Sequence, residues 1–205
     1  DATVTVRSQY GISTLANPYL YESMMSGEEL KDFWIRAGIY GPAQIKANYD
    51  DKGFNGNTKW YTVMQQLNNP QYQNDVTIEG GGKKVAYLIS ASQFHQRGTT
   101  IGNYYDRYTV RSNVQGHPKN WLKVGLNLNL SADERQQNGN WGDSSNVANY
   151  PSGGLSFLLN PLHSPYDEDG NLMTPKFENG TANPYLYMET YPSISKSYGL
   201  NGGAY

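Results

Sequence analysis

Strict two-residue alternation constrains this chain most. Over residues 122–130 every second side chain is aliphatic: Leu122, Val124, Leu126, Leu128 and Leu130. Between them stand Lys123, Gly125, Asn127 and Asn129. A period of two is the signature of a strand with one apolar and one polar face. The apolar face must be covered by something, either a second layer of protein or the acyl chains of a membrane.

The same pattern recurs. Residues 2–12 place Ala2, Val4, Val6, Tyr10 and Ile12 on one face and Thr3, Thr5, Arg7 and Gln9 on the other. Residues 72–80, 85–95 and 105–115 give three more alternating segments, although Leu88 and Phe94 blur the third strand. The predicted strands are therefore near 2–12, 72–80, 85–95, 105–115 and 122–131. The connections are very unequal. Gly80, Gly81 and Gly82 with Lys83 and Lys84 make one tight turn, and residues 116–120, with Pro118, make another. The loops 13–71 and 132–205 are long, and both lie at the end opposite the tight turns. Compact soluble domains seldom contain such connections. Outer-membrane barrels do: short turns on one side, long loops on the other.

Composition fits a barrel wall. Only 17% of the 205 residues are charged, the net charge is −2, and there are 22 glycines and 18 tyrosines. The mean hydropathy of −0.71 resembles that of a soluble protein, but alternation averages out in a barrel strand. No run of apolar residues is long enough for a transmembrane helix, and no signal peptide opens the sequence. The charge balance gives no reason to expect a nucleic-acid partner or an anionic membrane surface. Cysteine is absent, which excludes disulfides, thiolate metal sites and a cysteine nucleophile. Tyr10, Tyr72, Phe94, Tyr104 and Tyr105 lie near one end of their strands and Trp121 near the other, the placement of two interfacial girdles.

The first long loop carries helical signals. Ser26 and Glu29 form a capping box before the stripe Leu30, Phe33, Trp34 and Ala37, with Gly38 as a stop. Thr58 caps a second stripe of Trp60, Val63, Met64 and Leu67. An Asn-Pro-Tyr-Leu-Tyr pentapeptide occurs twice, at Asn17 and at Asn183, too few copies for a repeat architecture.

Chemical motifs are sparse. His95, His117 and His163 lack metal-ligand spacing and read as surface or turn residues. Asp167, Asp169, Asn171 and Glu178 occupy ligand positions of a calcium loop, but Leu172 stands where that loop needs glycine; a plain Asp-Gly turn is the better reading. No phosphate loop, dinucleotide fingerprint or serine elbow occurs. A glycosidase pair among the loop carboxylates is not visible in sequence, and the chain reads as no enzyme, with no catalytic residue, cofactor or metal assigned. The Asn-Gly-Thr at Asn179 is a glycosylation sequon only in a secreted eukaryotic chain. Trp60 reads as a packing anchor on its helical stripe. The candidate substrate-binding residues are the loop aromatics Trp141, Tyr150 and Tyr61, whose faces suit sugar rings.

Residues 80–131 resemble the first hairpins of the SusC/RagA-type TonB-dependent outer-membrane transporters. The resemblance rests on Gly80, Gly81, Tyr87, Ser90, Phe94, Gln96, Gly98, Arg107, Tyr108, Arg111, Asn113 and the Trp-Leu-Lys-Val-Gly of 121–125. Tyr10-Gly11-Ile12, Thr58 with Trp60-Tyr61, and the stretch beginning at Tyr166 are similar too; Gln93 and Pro118 depart from the pattern. The resemblance implies an all-β fold: an antiparallel transmembrane β-barrel segment of about five strands, with two long extracellular loops containing short helices. Such a transporter has an N-terminal plug and a barrel of about 22 strands. Five strands cannot close a barrel, so the chain is expected to be a piece of a larger polypeptide, just after the plug. The family implies import of oligosaccharides or peptides together with a SusD-like surface lipoprotein. It also implies coupling to TonB through the missing plug region, the remaining barrel strands and outer-membrane lipid as neighbours, and a location in the cell outer membrane. A soluble β-rich carbohydrate-binding module, its aliphatic faces packed on a second sheet, is the alternative.

Overall fold

The computed structural model describes residues 1–137, 159–173, 183 and 193–205. One six-stranded antiparallel sheet dominates them, with strands in chain order: β1 (Ala2–Ser13), β2 (Asn69–Gly81), β3 (Val85–Arg97), β4 (Tyr104–Lys119), β5 (Leu122–Gln136) and β6 (Ile194–Ala204). Each strand pairs only with its neighbours in sequence, as in an up-and-down barrel wall. The five strands read from alternation are all present, each somewhat longer than expected. The sixth was not expected. It lies inside the long loop 132–205 and turns it into a β5–β6 connection.

The register puts the two faces in rows. One face carries Val6, Val76, Ala91, Val110, Leu130 and Leu200 side by side across all six strands. The next row on that face is Val4, Ile78, Ile89, Ser112, Leu128 and Gly202. The opposite face has Arg7, Asp75, Ser92, Thr109, Ser131 and Gly199, then Thr5, Thr77, Ser90, Arg111, Asn129 and Asn201. A slip of one residue would exchange the faces, so this register is strongly specified.

No described residue covers the aliphatic face: Val6 is 70% exposed, and Val4, Val110, Leu126, Leu130 and Leu200 are also exposed. The buried apolar residues lie elsewhere, in the loops: Ile45, Tyr49, Trp60, Tyr61, Met64, Leu159 and Leu162. The protein core thus sits beyond one end of the sheet.

That core joins the long connections. Residues 14–68 form α1 (Tyr19–Glu22), α2 (Gly27–Arg36), α3 (Pro42–Asn48), a 3₁₀ turn (Asp50–Lys52) and α4 (Trp60–Met64). Helix α2 starts as the sequence predicts. Ser26 Oγ accepts from the Glu29 amide at 3.2 Å, and Glu29 Oε2 accepts from the Ser26 amide at 2.8 Å. Helix α4 is shorter than its stripe suggested, and its N-cap is Lys59, with no side-chain cap. Thr58 instead gives its amide to the Pro161 carbonyl at 2.8 Å.

The two loops meet backbone to backbone. The Gly56 amide donates to the Leu162 carbonyl at 2.8 Å, and the Trp60 indole to the Asn160 carbonyl at 2.9 Å. A Cβ on Gly27 would lie 2.5 Å from the Gly56 oxygen, so side chains are excluded at this approach. The short β3–β4 loop joins in, through hydrogen bonds from the Ile101 amide to Met64 and from the Gln66 amide to Thr99.

The capping box gives a pH-dependent prediction. The amide and hydroxyl of Ser26 hold the Glu29 carboxyl below its ordinary value. A depressed folded-state pKa stabilises above the unfolded value and is lost as pH falls through the folded one. Ser26→Ala should therefore loosen the start of α2 at neutral pH. The difference from the parent should shrink on acidification, read as hydrogen exchange at the Glu29 amide.

Candidate functional site: polar wall and loop cap

The polar face of the sheet is concave. It encloses a recess of about 680 Å³ lined by Arg7, Gln73, Asp75, Ser90, Ser92, Tyr105, Arg107, Arg111, Asn129 and Asp133, among others. Alternation delivers them: each is the polar member of a pair whose partner points outward. Gln73 Nε2 donates to both Asp75 oxygens at about 3 Å, and Arg7 stands opposite Asp75 in register. Arg107 lies over the Phe94 ring, 5.6 Å from its centroid, and opposite Asp133. Phe94 and Tyr105 therefore belong to the recess side, not to an interfacial girdle. Leu88 and Phe94 blurred the third strand because they are apolar residues on the polar face.

The outward girdle has other members. Tyr10 and Tyr72 are adjacent in register; Tyr108 and Tyr198 flank Ala132 two residues nearer the middle. Beside Tyr72 the row continues through His95, Asp106, Glu134 and Lys196. His95 stacks on Tyr72, and its Nδ1 is 2.6 Å from Asp106. Lys196 is 2.9 Å from Glu134, which also accepts from the Tyr104 hydroxyl. These polar pairs bound the apolar band at the loop end. Along β5 and the turn before it the band runs from Trp121 to Ala132. At about 3.3 Å per residue and a tilt of about 40°, that stretch rises about 28 Å, close to the roughly 25 Å apolar band of an outer-membrane barrel with its girdles.

A second recess, of about 420 Å³, lies in the loop cap between α1, the start of α2 and α4. Tyr21, Met24, Met25, Glu28, Trp60 and Tyr61 are among its walls. Tyr61 is 8% exposed and stacks on Tyr21 at 5.6 Å between centroids, so one face of its ring is covered. Trp141 and Tyr150 lie outside the described residues and are not brought together with it by anything described. Trp60 is the packing anchor the sequence suggested, 3% exposed against Met64 and Leu159. Sequence reasoning missed the polar recess as a site. The signal was present in the facing rows, but became a surface only once register was known.

The remaining motifs are structural. Asp167 Oδ1 accepts from the amides of Asp169 (3.0 Å) and Asn171 (2.8 Å), and Gly170 takes the left-handed conformation at φ 81°. This is an Asp-Gly turn held by its own side chain; Glu178 falls outside the described residues. His163, which reads in sequence as a surface or turn residue, is not at the surface. It is instead 1% exposed, edge-on to Phe54 at 4.4 Å in the loop core. No cluster of metal-ligating residues occurs among the described residues. Asn183, from the second pentapeptide, is buried and donates to the Pro165 and Met173 carbonyls.

No family model matches the chain. Over 115 residues, 56% of its length, it is 30% identical to the TonB-dependent receptor P26 of Formosa agariphila, of which it covers 10%. Its whole length superposes on a chain of the RagAB peptide transporter with a TM-score of 0.74 at 23% identity, covering 26% of that chain. The RagAB peptide importer in its open-open state matches with a TM-score of 0.75 at 24% identity, over 25% of that chain. The sheet is a stretch of barrel wall. The wall spans about a tenth of the curated relative and about a quarter of each solved chain.

Proposed function

We propose that this chain is wall and loop cap of a TonB-dependent outer-membrane transporter. Its short turns face the periplasm, and its loop cap faces the outside. The observation that carries the reading is the contrast of rows. Aliphatics in register across six strands are exposed on one face, while Arg, Asp, Ser and Thr line a recess on the other. A soluble module needs a second layer on those aliphatics, and no described residue supplies one. Lipid solvates such a face without cost, and a wet lumen solvates the other.

The transported substrate is an oligosaccharide or a peptide. It enters past the cap, where Tyr61 and the loop aromatics Trp141 and Tyr150 are the binding candidates, and then meets the polar face. The RagAB structures, whose names specify peptide transport, support the peptide class. Capture at the cap would be shared with a SusD-like surface lipoprotein, and opening would be driven by TonB acting on a plug. The test uses the full-length protein in its native membrane. After lysis without detergent it should sediment with the outer membrane. Nitroxide labels at Val110, Val124, Leu126 and Leu128 should be accessible to oxygen dissolved in the bilayer. Recovery in the aqueous fraction, or labels shielded at all four positions, would refute the reading.

A further inference from the structure

The short-turn end of the outward face is notched. In the lowest complete row across β3, β4 and β5, Val85 and Val124 flank Gly116. Gly116 has no side chain to continue the ridge. Just beyond it β4 loses its regular register before Lys119, and the His117 amide turns to the Lys84 carbonyl at 2.7 Å. The result is a groove of about 500 Å³. Val85, Val114, Val124 and Leu126 form its apolar walls, and Lys84 and His117 its lower rim. Nothing strained creates the gap: a Cβ on Gly116 would sit 3.6 Å from Val124 and 3.9 Å from Val85, in ordinary contact.

Charge tells what the groove suits. Lys83 and Lys84 fill one neighbouring turn, and Lys119 the other, its Nζ 5.7 Å above the Trp121 ring. Trp121 is 76% exposed. Neither 80–105 nor 107–132 contains an Asp or Glu. Asp106, Asp133 and Glu134 stand at the loop end instead, and Glu79, beside the first turn, has the parity of the recess face. The net charge of −2 therefore hides a basic end, which whole-chain composition did not reveal. An apolar slot with Lys84 on its rim, next to a turn that carries Lys119 and an exposed indole, matches an acyl chain below an anionic head group. Clustered lysines attract such lipids, and indoles settle at the head-group level.

We propose that this groove holds a membrane glycerophospholipid with an anionic head group, from the leaflet at the short-turn end. One acyl chain lies over Gly116 between Val85 and Val124, and the phosphate is met by Lys84 and Lys119. The proposal rests on the barrel reading, because only then does this face meet lipid.

The test is native mass spectrometry of the full-length protein released from vesicles of phosphatidylglycerol and phosphatidylethanolamine in equal parts. The parent should retain phosphatidylglycerol about tenfold over phosphatidylethanolamine. Gly116→Leu, which fills the notch, should remove most of the retained lipid. Lys84→Gln with Lys119→Gln should leave lipid bound but bring the preference close to one. A nitroxide at Val110, remote from the groove, is measured in each variant. If retention and preference are unchanged in both variants while Val110 stays open to bilayer oxygen, the groove is refuted and the barrel stands. If Val110 is shielded, both fall.

Discussion

Val110→Arg should destabilise the membrane-embedded protein by about 2–4 kcal/mol, the penalty for arginine on the lipid face near the middle of a barrel wall. Val110 sits in the central outward row, between Ala91 and Leu130, with the hydrogen-bonded pair of His95 and Asp106 two rows above. Its guanidinium would have to climb those rows to reach water. The control is Thr77→Arg, at a similar depth on the recess side. There the new cation stands two residues from Asp75 and from Glu79 on the same strand, in the polar rows. It should change stability by less than about 0.5 kcal/mol, as surface substitutions do. Urea unfolding of the full-length protein in vesicles measures both. The contrast separates the two readings of the fold. If the aliphatic face met water, an arginine at the 43%-exposed Val110 would be as harmless as the control.

The same physics explains what alternation made legible. Strand β5 shows an outward aliphatic at nearly every second position and β1 to β4 at two or more, and both long loops were placed at the end opposite the tight turns. Strand β6 was missed because its outward face reads Ile194, Lys196, Tyr198, Leu200, Gly202 and Ala204, and three of its eleven residues are glycine. Its pairing with β5, not its own propensity, makes it a strand, an instance of tertiary context deciding β structure. Helix α3 was missed for a related reason. Gly41 caps it through its backbone and Gln44, and it spans only seven residues, too few for a clear stripe. The polar recess was invisible because neighbours such as Arg7 and Asp75 are far apart in sequence and meet only through register. The placement of Phe94 and Tyr105 shows the limit of reading aromatics by position along a strand. Parity decides which face they serve, and both have the parity of the recess.

Trp60→Ala should undock the loop cap and leave the wall in place. The indole is buried against Met64 and Leu159 and donates to the Asn160 carbonyl, so it ties residues 14–68 to the second long loop. Truncating a buried tryptophan costs about 3–5 kcal/mol, and loss of its N–H removes a donor from a carbonyl inside the loop core. The hydrogen-bond ladders of the six strands do not pass through Trp60, so the loss falls on the cap. Native-state proteolysis of the full-length protein should then show cleavage within residues 14–68 accelerated by two to three orders of magnitude, about 1.4 kcal/mol being a factor of ten. Outer-membrane abundance should stay the same, and substrate uptake should fall. Trp60→Phe keeps much of the buried area but loses the indole donor, and should lie between the two. Unchanged cleavage in Trp60→Ala would mean that the backbone pairing of Gly56 with Leu162 and of Thr58 with Pro161 holds the loops together unaided. The cap would then be a β-like clasp with a decorative core.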